Sequence, residues 1–384
     1  MATPISDSDL MAAATRLYNY IYDHHWDGHA MSGPDSGVRF NFRIGRFIKS
    51  MFRFIPWGDN YIFQQGQAYW IFANWLLADM TGSEKYREAA IACSRYVISM
   101  QQPKGYWEYP NPEWKGRIAT VEGDFASLGL LETYERTKDS SFLDASLKWH
   151  DYLMTEVSFM EVGDGMLAIN YFSNLAGGVV PNNTAITLRL AAKLASVTGN
   201  TSYLNQASAM VAFMNHVQKP SGELPYEAPF GSEPGRPHFL CFQYNAFQFL
   251  DLLHYYQLTH DQKIVPVLER LATFLSTGLG KSGAARYDCF RETPEVPYYT
   301  AVVAAALSQA TAMGWGDHHE VANKAFRRVM QLQRPDGSVA FFSRGNYKVL
   351  TDRRPYVRNL AMILTHFLME VQSRKIVGAE TPVC

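Results

Sequence analysis

Gln101-Gln-Pro-Lys-Gly105, Gln218-Lys-Pro-Ser-Gly222 and Gln333-Arg-Pro-Asp-Gly337 are three copies of one string, Gln-x-Pro-x-Gly. Each follows a helical stretch, and each sets an apolar residue (Trp107, Leu224 or Val339) two positions after its glycine. The copies begin 117 and 115 residues apart. Gly165 and Gly283 fall between them, so the five glycines are spaced by 60, 57, 61 and 54 residues. A regular interval of this length is the mark of a repeat architecture, one supersecondary unit per copy. A second signal runs half a period out of step: Thr81-Gly82, Thr137-Lys138, Thr198-Gly199 and Thr259-His260, with Met313-Gly314 in the same place in the last copy. These read as turns inside helical hairpins, where one helix ends and the next begins.

Between the marks the apolar residues keep helical spacing, as in Ala68-Tyr-Trp-Ile-Phe-Ala-Asn-Trp-Leu-Leu77 and Ala185-Ile-Thr-Leu-Arg-Leu-Ala-Ala-Lys-Leu194. The first helix of each pair is small or apolar nearly all round, which suits an inner, buried helix. The second carries more charge, as from Glu84 to Arg95, which suits an outer one. Five hairpins begin near Gln64, Val121, Asn183, Gln243 and Tyr298, one helix precedes them (Leu10 to Tyr22) and one follows (Pro355 to Val371). The reading is an all-α (α/α)6 toroid of twelve helices spanning residues 1–384 as a single domain. Pairing of the first and last helices closes the ring and leaves no open end to the core, unlike an open solenoid.

Composition sets the outer limits. The chain has 384 residues, 47% of them apolar, enough for a large core. Its 35 Lys+Arg against 36 Asp+Glu give a formal net charge of −1, with no global pull toward nucleic acid. Cys93, Cys241, Cys289 and Cys384 form no CxxC pair, and the expectation is reduced thiols rather than a disulfide framework or a zinc site. No basic-then-apolar leader is visible at Met1 to Leu10, and no run reaches the ~18 apolar residues of a membrane span. A cytoplasmic protein is therefore expected, with no cofactor. His24, His25 and His29 with Asp23 and Asp27 match no ligand spacing, so no metal is expected either.

In such a ring the inner-helix N-termini and the loops after the outer helices share one face. Unpaired N–H groups and a partial positive charge collect there. The inner-helix starts bring Gln64, Gln67, Asn183, Gln243, Asn245, Tyr298, Arg353, Arg354 and Arg358 to this face. The loops bring Trp107, Glu108, Tyr109, Tyr171, Tyr226, Glu227, Arg286 and Tyr287. Aromatic faces suit the C–H side of a pyranose, amides and carboxylates read hydroxyls, and arginines hold a carboxylate. Individually these residues also serve as caps and packing. Glu122-Gly-Asp124 is a second focus: two carboxylates at a helix start either divide acid and base work or only complement the helix dipole.

One interval is about 20 residues too long. The excess, at about 36–58, contains Arg39-Phe-Asn-Phe-Arg-Ile-Gly-Arg-Phe-Ile-Lys-Ser-Met-Phe-Arg-Phe-Ile-Pro-Trp57. Arg39, Arg43, Arg46, Lys49 and Arg53 recur at helical steps beside Phe42, Phe47, Phe52 and Phe54, with no acidic residue. A basic amphipathic helix of this kind either touches an anionic membrane surface, grips an anionic ligand, or packs as a lid with its arginines solvated.

Several families resemble this pattern. Gln101 to Trp107 resembles the end of the QW motif of triterpene cyclases, although the Asp-x-Asp-Asp acid motif is absent. The hairpin turns resemble those of six-hairpin glycosidases, including unsaturated glucuronyl hydrolases. The most local resemblance is to the C-terminal helical domain of D-glucuronyl C5-epimerases. Gln65-Gly-Gln-Ala68 is similar to that family's Gln-Gly-x-Ala, and Glu108-Tyr109-Pro110 to its Glu-Tyr-Pro. Tyr287-Asp288 is similar to its later Tyr-Asp, with Tyr226 as the alternative register, and Tyr298 or Tyr299 to its last catalytic tyrosine.

The expected function is a carbohydrate-active enzyme on an acidic, uronic acid glycan. By C5 proton abstraction (epimerase or lyase), Tyr226, Tyr287 and Tyr298 would serve as acid and base, tuned by Glu227 or Glu108. By hydrolysis, Glu122 and Asp124 would carry that work. The substrate-binding set is Gln64, Gln67, Trp107, Glu108, Tyr109, Asn183, Gln243, Asn245, Arg286, Arg353 and Arg354. Two alternatives stand beside it. A terpenoid-cyclase-like enzyme drawn to membranes by Arg39–Trp57 predicts a deep apolar cavity, and a non-catalytic glycan-binding protein predicts dispensable carboxylates.

Overall fold

The computed structural model of the chain describes residues 5–35, 38, 45–52, 54–55, 57–173, 178–345 and 353–380. It begins with α1 (Asp7–His25) and a short helix in the insertion, α2 (Gly45–Met51). Five hairpins follow, inner helix first: α3 and α4 (Gln64–Thr81, Glu84–Ser99), α5 and α6 (Thr120–Thr137, Ser140–Tyr152), and α7 and α8 (Pro181–Thr198, Ala207–Val217). The last two are α9 and α10 (Cys241–Thr259, Val265–Ser276) and α11 and α12 (Pro297–Ala312, His319–Leu332). The final helix, α13 (Val357–Glu380), is the sixth inner one. It packs between α11 and α3 on the inside and against α1 on the outside, so first and last helices do close an (α/α)6 toroid. Inner helices are buried on almost every face: in α11 Tyr298 through Leu307 are all buried. Outer helices are amphipathic, burying in α12 only Ala322, Asn323, Ala325, Phe326 and Val329.

The repeat string acquires a mechanical role. Gln101 Nε2 donates to its own Gly105 carbonyl at 2.9 Å and to Ala145 O of the next outer helix at 2.8 Å. Gln218 does the same to Gly222 O (2.8 Å) and Val267 O (3.0 Å). Gln333 donates to Gly337 O (3.1 Å) and to Ala13 O (2.9 Å), which lies on α1, so the third copy is the clasp of the ring. The glycine is required for two reasons. Gly105, Gly222 and Gly337 all have positive φ, and a Cβ there would sit 2.4, 2.2 and 2.3 Å from a carbonyl oxygen of the next outer helix. The half-period threonines also have a common task. Thr81, Thr137, Thr198 and Thr259 each donate to the carbonyl four residues back and accept from the N–H two residues on. This satisfies groups that a helix end leaves open.

One expectation, reduced cysteines, needs correction, and two local features take a form that spacing does not reveal. The turn at Gly165 lies in a β-hairpin, β1 (Phe159–Gly163) with β2 (Met166–Ile169), a small addition to the helical ring. Asp164-Gly165 forms the turn, and Gly165 adopts the positive φ that glycine accommodates most easily. Cys241 and Cys289 are not reduced thiols but a disulfide. They lie 48 residues apart, on the start of α9 and the loop before α11, and only the ring brings them together. The expected amphipathic helix of the insertion is described only over Gly45–Met51; Arg39, Phe42, Arg43 and Arg53 lie outside the described residues, as do the side chains of Arg46 and Phe47. Lys49 turns inward: it is buried, pairs with Asp59, and lies 5.6 Å from the Trp57 ring. Met51, Phe52 and Phe54 are exposed. Among the described residues no helix is long and apolar enough to cross a membrane.

Candidate active site

The inner-helix N-termini surround a cavity of about 190 Å³ at the mouth of the ring. Its wall brings together Glu122, Tyr109, Asn183, Tyr226, Gln243 and Tyr298 from the predicted set. Tyr171 and Arg358, also expected on this face, line it too, and Tyr244, Asn182, Gln65, Asp251, Asn359 and apolar side chains such as Phe125 and Phe247 complete it.

Glu122 and Asp124 sit two residues apart near the start of α5, and positions so spaced on a helix do not share a face. Glu122 turns to the cavity and accepts the Gln64 backbone N–H at 2.6 Å, capping α3, which itself lacks a side-chain cap. Burial pushes its carboxyl up to about 7, against the opposing pull of Arg358 and the N–H groups of Gln64 and Gln65. Asp124 turns the other way. It accepts the Trp149 indole N–H (2.9 Å) and the Thr187 hydroxyl (2.7 Å), tying α5 to α6 and α7. It is absent from the cavity wall, and the expected acid–base pair is thereby separated. Gly123 between them is needed because a Cβ would lie 2.2 Å from the Trp149 ring.

Arg358, the second residue of α13, is the cavity's cation. Its Nε and Nη2 donate to both Asp35 oxygens (2.8 and 2.6 Å) and Nη1 to Gln65 Oε1 (2.8 Å). The guanidinium lies 4.4 Å from the Phe63 ring centroid. Asp35 is 2% exposed and comes from the segment leading into the insertion. The same contact therefore joins the last helix to the first hairpin and orients the charge. Asp251, ten residues along α9, is the second cavity carboxylate and pairs with Arg189 at 2.9 Å; burial raises its pKa. The tyrosines are pushed up too. Burial is the first cause at Tyr109, Tyr171, Tyr226, Tyr244 and Tyr298, and neighbouring phenols add to it at Tyr109, Tyr171, Tyr244 and Tyr298. Four buried polar atoms on the wall have no hydrogen-bond partner among the described residues: Asn182 Oδ1, Asn183 Nδ2, Gln243 Oε1 and Asn359 Oδ1.

The remaining expected site residues lie elsewhere, each for an identifiable reason. Gln67 holds both backbone groups of Met31 (2.9 and 2.8 Å), and Asn245 those of Leu224 (2.7 and 3.0 Å). Thr184 and Thr300 take the Ile169 and Ala285 N–H groups from equivalent positions. This is a repeated strut by which four of the six inner helices hold the preceding loop. Gln64 contributes its backbone, while its buried Oε1 has no partner among the described residues. Trp107 is core, its indole bonded to Val97 O at 2.8 Å. Glu108 is exposed. Glu227 pairs with Arg236 (3.0 Å) at the rim. Tyr287 packs on Tyr299 and under Arg291, and among the described residues Arg286 has one acidic neighbour, Glu292 at 3.9 Å. Arg353 is exposed, its carbonyl bonded to Arg334, and Arg354 is buried between Asp59 and Tyr356. Asp35 was missed altogether: one acidic residue outside the repeat gives no periodic signal.

No family model matches the chain, and no curated protein matches it at a significant level. Solved structures do match. A cellobiose 2-epimerase from Bacillus thermoamylovorans superposes with TM-score 0.70 at 12% identity, over 94% of this chain and 99% of that one. A possible GH105 family member from Salmonella enterica gives 0.67 at 13%, over 97% and 95%. A polysaccharide lyase gives 0.65 at 12%, over 99% and 100%. What the chain shares with these proteins is the (α/α)6 toroid.

Proposed function

We propose that the chain is a carbohydrate-active enzyme that hydrolyses an acidic, uronic acid glycan, with Glu122 as proton donor. The observation that carries this reading is a fully buried carboxyl on the cavity wall, held near pKa 7 and so half protonated at neutral pH. The four unpartnered amide atoms call for a ligand rich in hydroxyls, because a buried polar group without a partner costs about 1–3 kcal/mol. Arg358, fixed by Asp35 and Gln65, offers its charge to a sugar carboxylate. Glu122 protonates the leaving glycosidic oxygen as its bond to the anomeric carbon breaks, the Asp251 carboxylate provides the negative field for the oxocarbenium-like charge that develops, and water adds to that carbon and gives a proton back to Glu122.

The titrations weigh against tyrosine-driven C5 abstraction. A phenolate base requires a lowered pKa, and every cavity tyrosine is displaced upward. The polar wall weighs against an isoprenoid. The similar structures include proteins described as lyase, epimerase and glycosyl hydrolase, consistent with sugar chemistry in a ring of this kind.

The test is incubation in D2O with uronic acid oligosaccharides and their carboxyl-reduced counterparts. New reducing ends from the acidic set alone are expected, with no unsaturated product and no deuterium at C5. Glu122→Gln should remove about 10²–10⁴ of the rate. Deuterium at C5 that survives Glu122→Gln would reassign the chemistry to the tyrosines. Binding without turnover would leave a glycan-binding protein.

A further inference from the structure

Outside the cavity, one group of side chains combines metal-ligand chemistry with a covalent bond. Glu223 follows the second repeat string and is 1% exposed. Its carboxylate lies 2.9 Å from His238 Nδ1, and Cys289 Sγ is 3.6 Å from its Oε1. The ligand atoms of Glu223, His238 and Cys289 all lie within 4.8 Å of one another. Cys241 Sγ is bonded to Cys289 Sγ and so adjoins this cluster. One nitrogen, one carboxylate oxygen and one sulfur thus converge from three separate segments, with a second sulfur bonded to the first.

We propose that Cys241, Cys289, His238 and Glu223 form a four-ligand site for a zinc-class dication when the Cys241–Cys289 bond is reduced. A thiol or phosphine reductant gives up the electron pair that breaks the S–S bond, and two protons complete two thiols. Binding of Zn²⁺ then displaces both thiol protons to solvent, leaving two thiolates, a neutral imidazole and a carboxylate as ligands. Zinc takes four such ligands in a tetrahedron, with bonds of about 2.0–2.3 Å. Ligand atoms in that geometry stand about 3–4 Å from one another, close to the 2.9 and 3.6 Å that separate His238 and Cys289 from Glu223. His238 is 39% exposed at its side chain, which gives the ion a way in, while Glu223 forms the closed floor. A cation stands beside the histidine: Lys219 Nζ lies 3.5 Å from His238 Nε2. A dication on Nδ1 makes Nε2 a donor, so Lys219 must swing away. The oxidised and metal-bound forms are alternative staples for the same place: the disulfide ties the start of α9 to the loop carrying Tyr287, and the metal would add the loop carrying Tyr226 through Glu223.

The experiment uses the full chain, with zinc measured by elemental analysis after desalting and with Co²⁺ as the spectroscopic probe. Protein treated with a phosphine reductant is expected to retain one equivalent of zinc and, with Co²⁺, to show a thiolate charge-transfer band. The untreated disulfide form should retain none. His238→Gln and Cys289→Ser should each abolish retention in the reduced form, and Lys219→Ala should tighten it. Thermal melting of every variant, reduced and without metal, shows whether it is folded. Zinc held equally by oxidised and reduced protein, or held by a folded Cys289→Ser or His238→Gln variant, overturns the proposal. So does a folded, reduced wild-type chain that holds none. None of these readouts depends on the hydrolytic activity.

Discussion

Replacing Glu122 by Gln keeps the shape of the side chain and removes its ionisation, so it isolates the energetic consequence of burying the carboxyl. A rise from the ordinary 4.5 to about 7 means that the folded chain binds this proton more tightly than the unfolded chain does. The associated stability is fully present below about pH 4.5 and is lost as pH rises through 7, with a magnitude of about 3 kcal/mol. At pH 4.5 the neutral acid and the amide are near equivalents, each offering one acceptor to the Gln64 N–H, and the two proteins should unfold at similar urea concentrations. At pH 8 wild type carries a buried carboxylate and the variant does not. Glu122→Gln should then be the more stable protein by about 2–3 kcal/mol, while inactive. Asp124, also pushed up to about 7, is present in both proteins and cancels in the comparison. Urea unfolding at pH 4.5, 6 and 8 measures the difference directly. An equal loss of stability at every pH would refute the reasoning, because it would mean that Glu122 is an ordinary ionised helix cap with no proton to give near neutrality.

Three further outcomes are expected. Gln333→Ala removes the clasp bonds to Ala13 and Gly337 and the acceptor for Arg16, and should cost about 1–3 kcal/mol in urea unfolding, with α1 losing hydrogen-exchange protection first. Gly123→Ala drives a methyl into the Trp149 ring and should destabilise by about 3 kcal/mol, measured the same way; a neutral result would show that α6 shifts freely. Arg358→Lys keeps the charge but loses the bidentate grip on Asp35, and should raise KM for acidic oligosaccharides about tenfold while sparing their carboxyl-reduced counterparts.

Much of the ring was legible because a repeat states its message several times. The three Gln-x-Pro-x-Gly strings locate the outer-helix ends, and the half-period threonines locate the hairpin turns. Each string has a local cause, a left-handed glycine under the next helix and an amide that reaches a neighbouring carbonyl. The site was only half legible for the same reason. Gln67 and Asn245 stand at the helix starts beside true cavity residues, yet they hold loop backbone, a task visible only as a repeated position. Glu122 and Asp124 are chemically alike in the chain, and the facing of a helix decides which reaches the cavity.

By itself, then, the sequence determined the helical period, the inner and outer roles, the closure of the ring and the polar, aromatic character of its mouth. These follow from local propensity and from spacing, which need no knowledge of distant contacts. Only the tertiary structure decided that Asp35 meets Arg358 across 323 residues, that Cys241 joins Cys289 against a buried Glu223, and that one carboxyl of two keeps a proton near neutrality. Those facts depend on burial and on pairing between segments far apart in the chain. Desolvation and Coulomb energy act through space, and a sequence records neither.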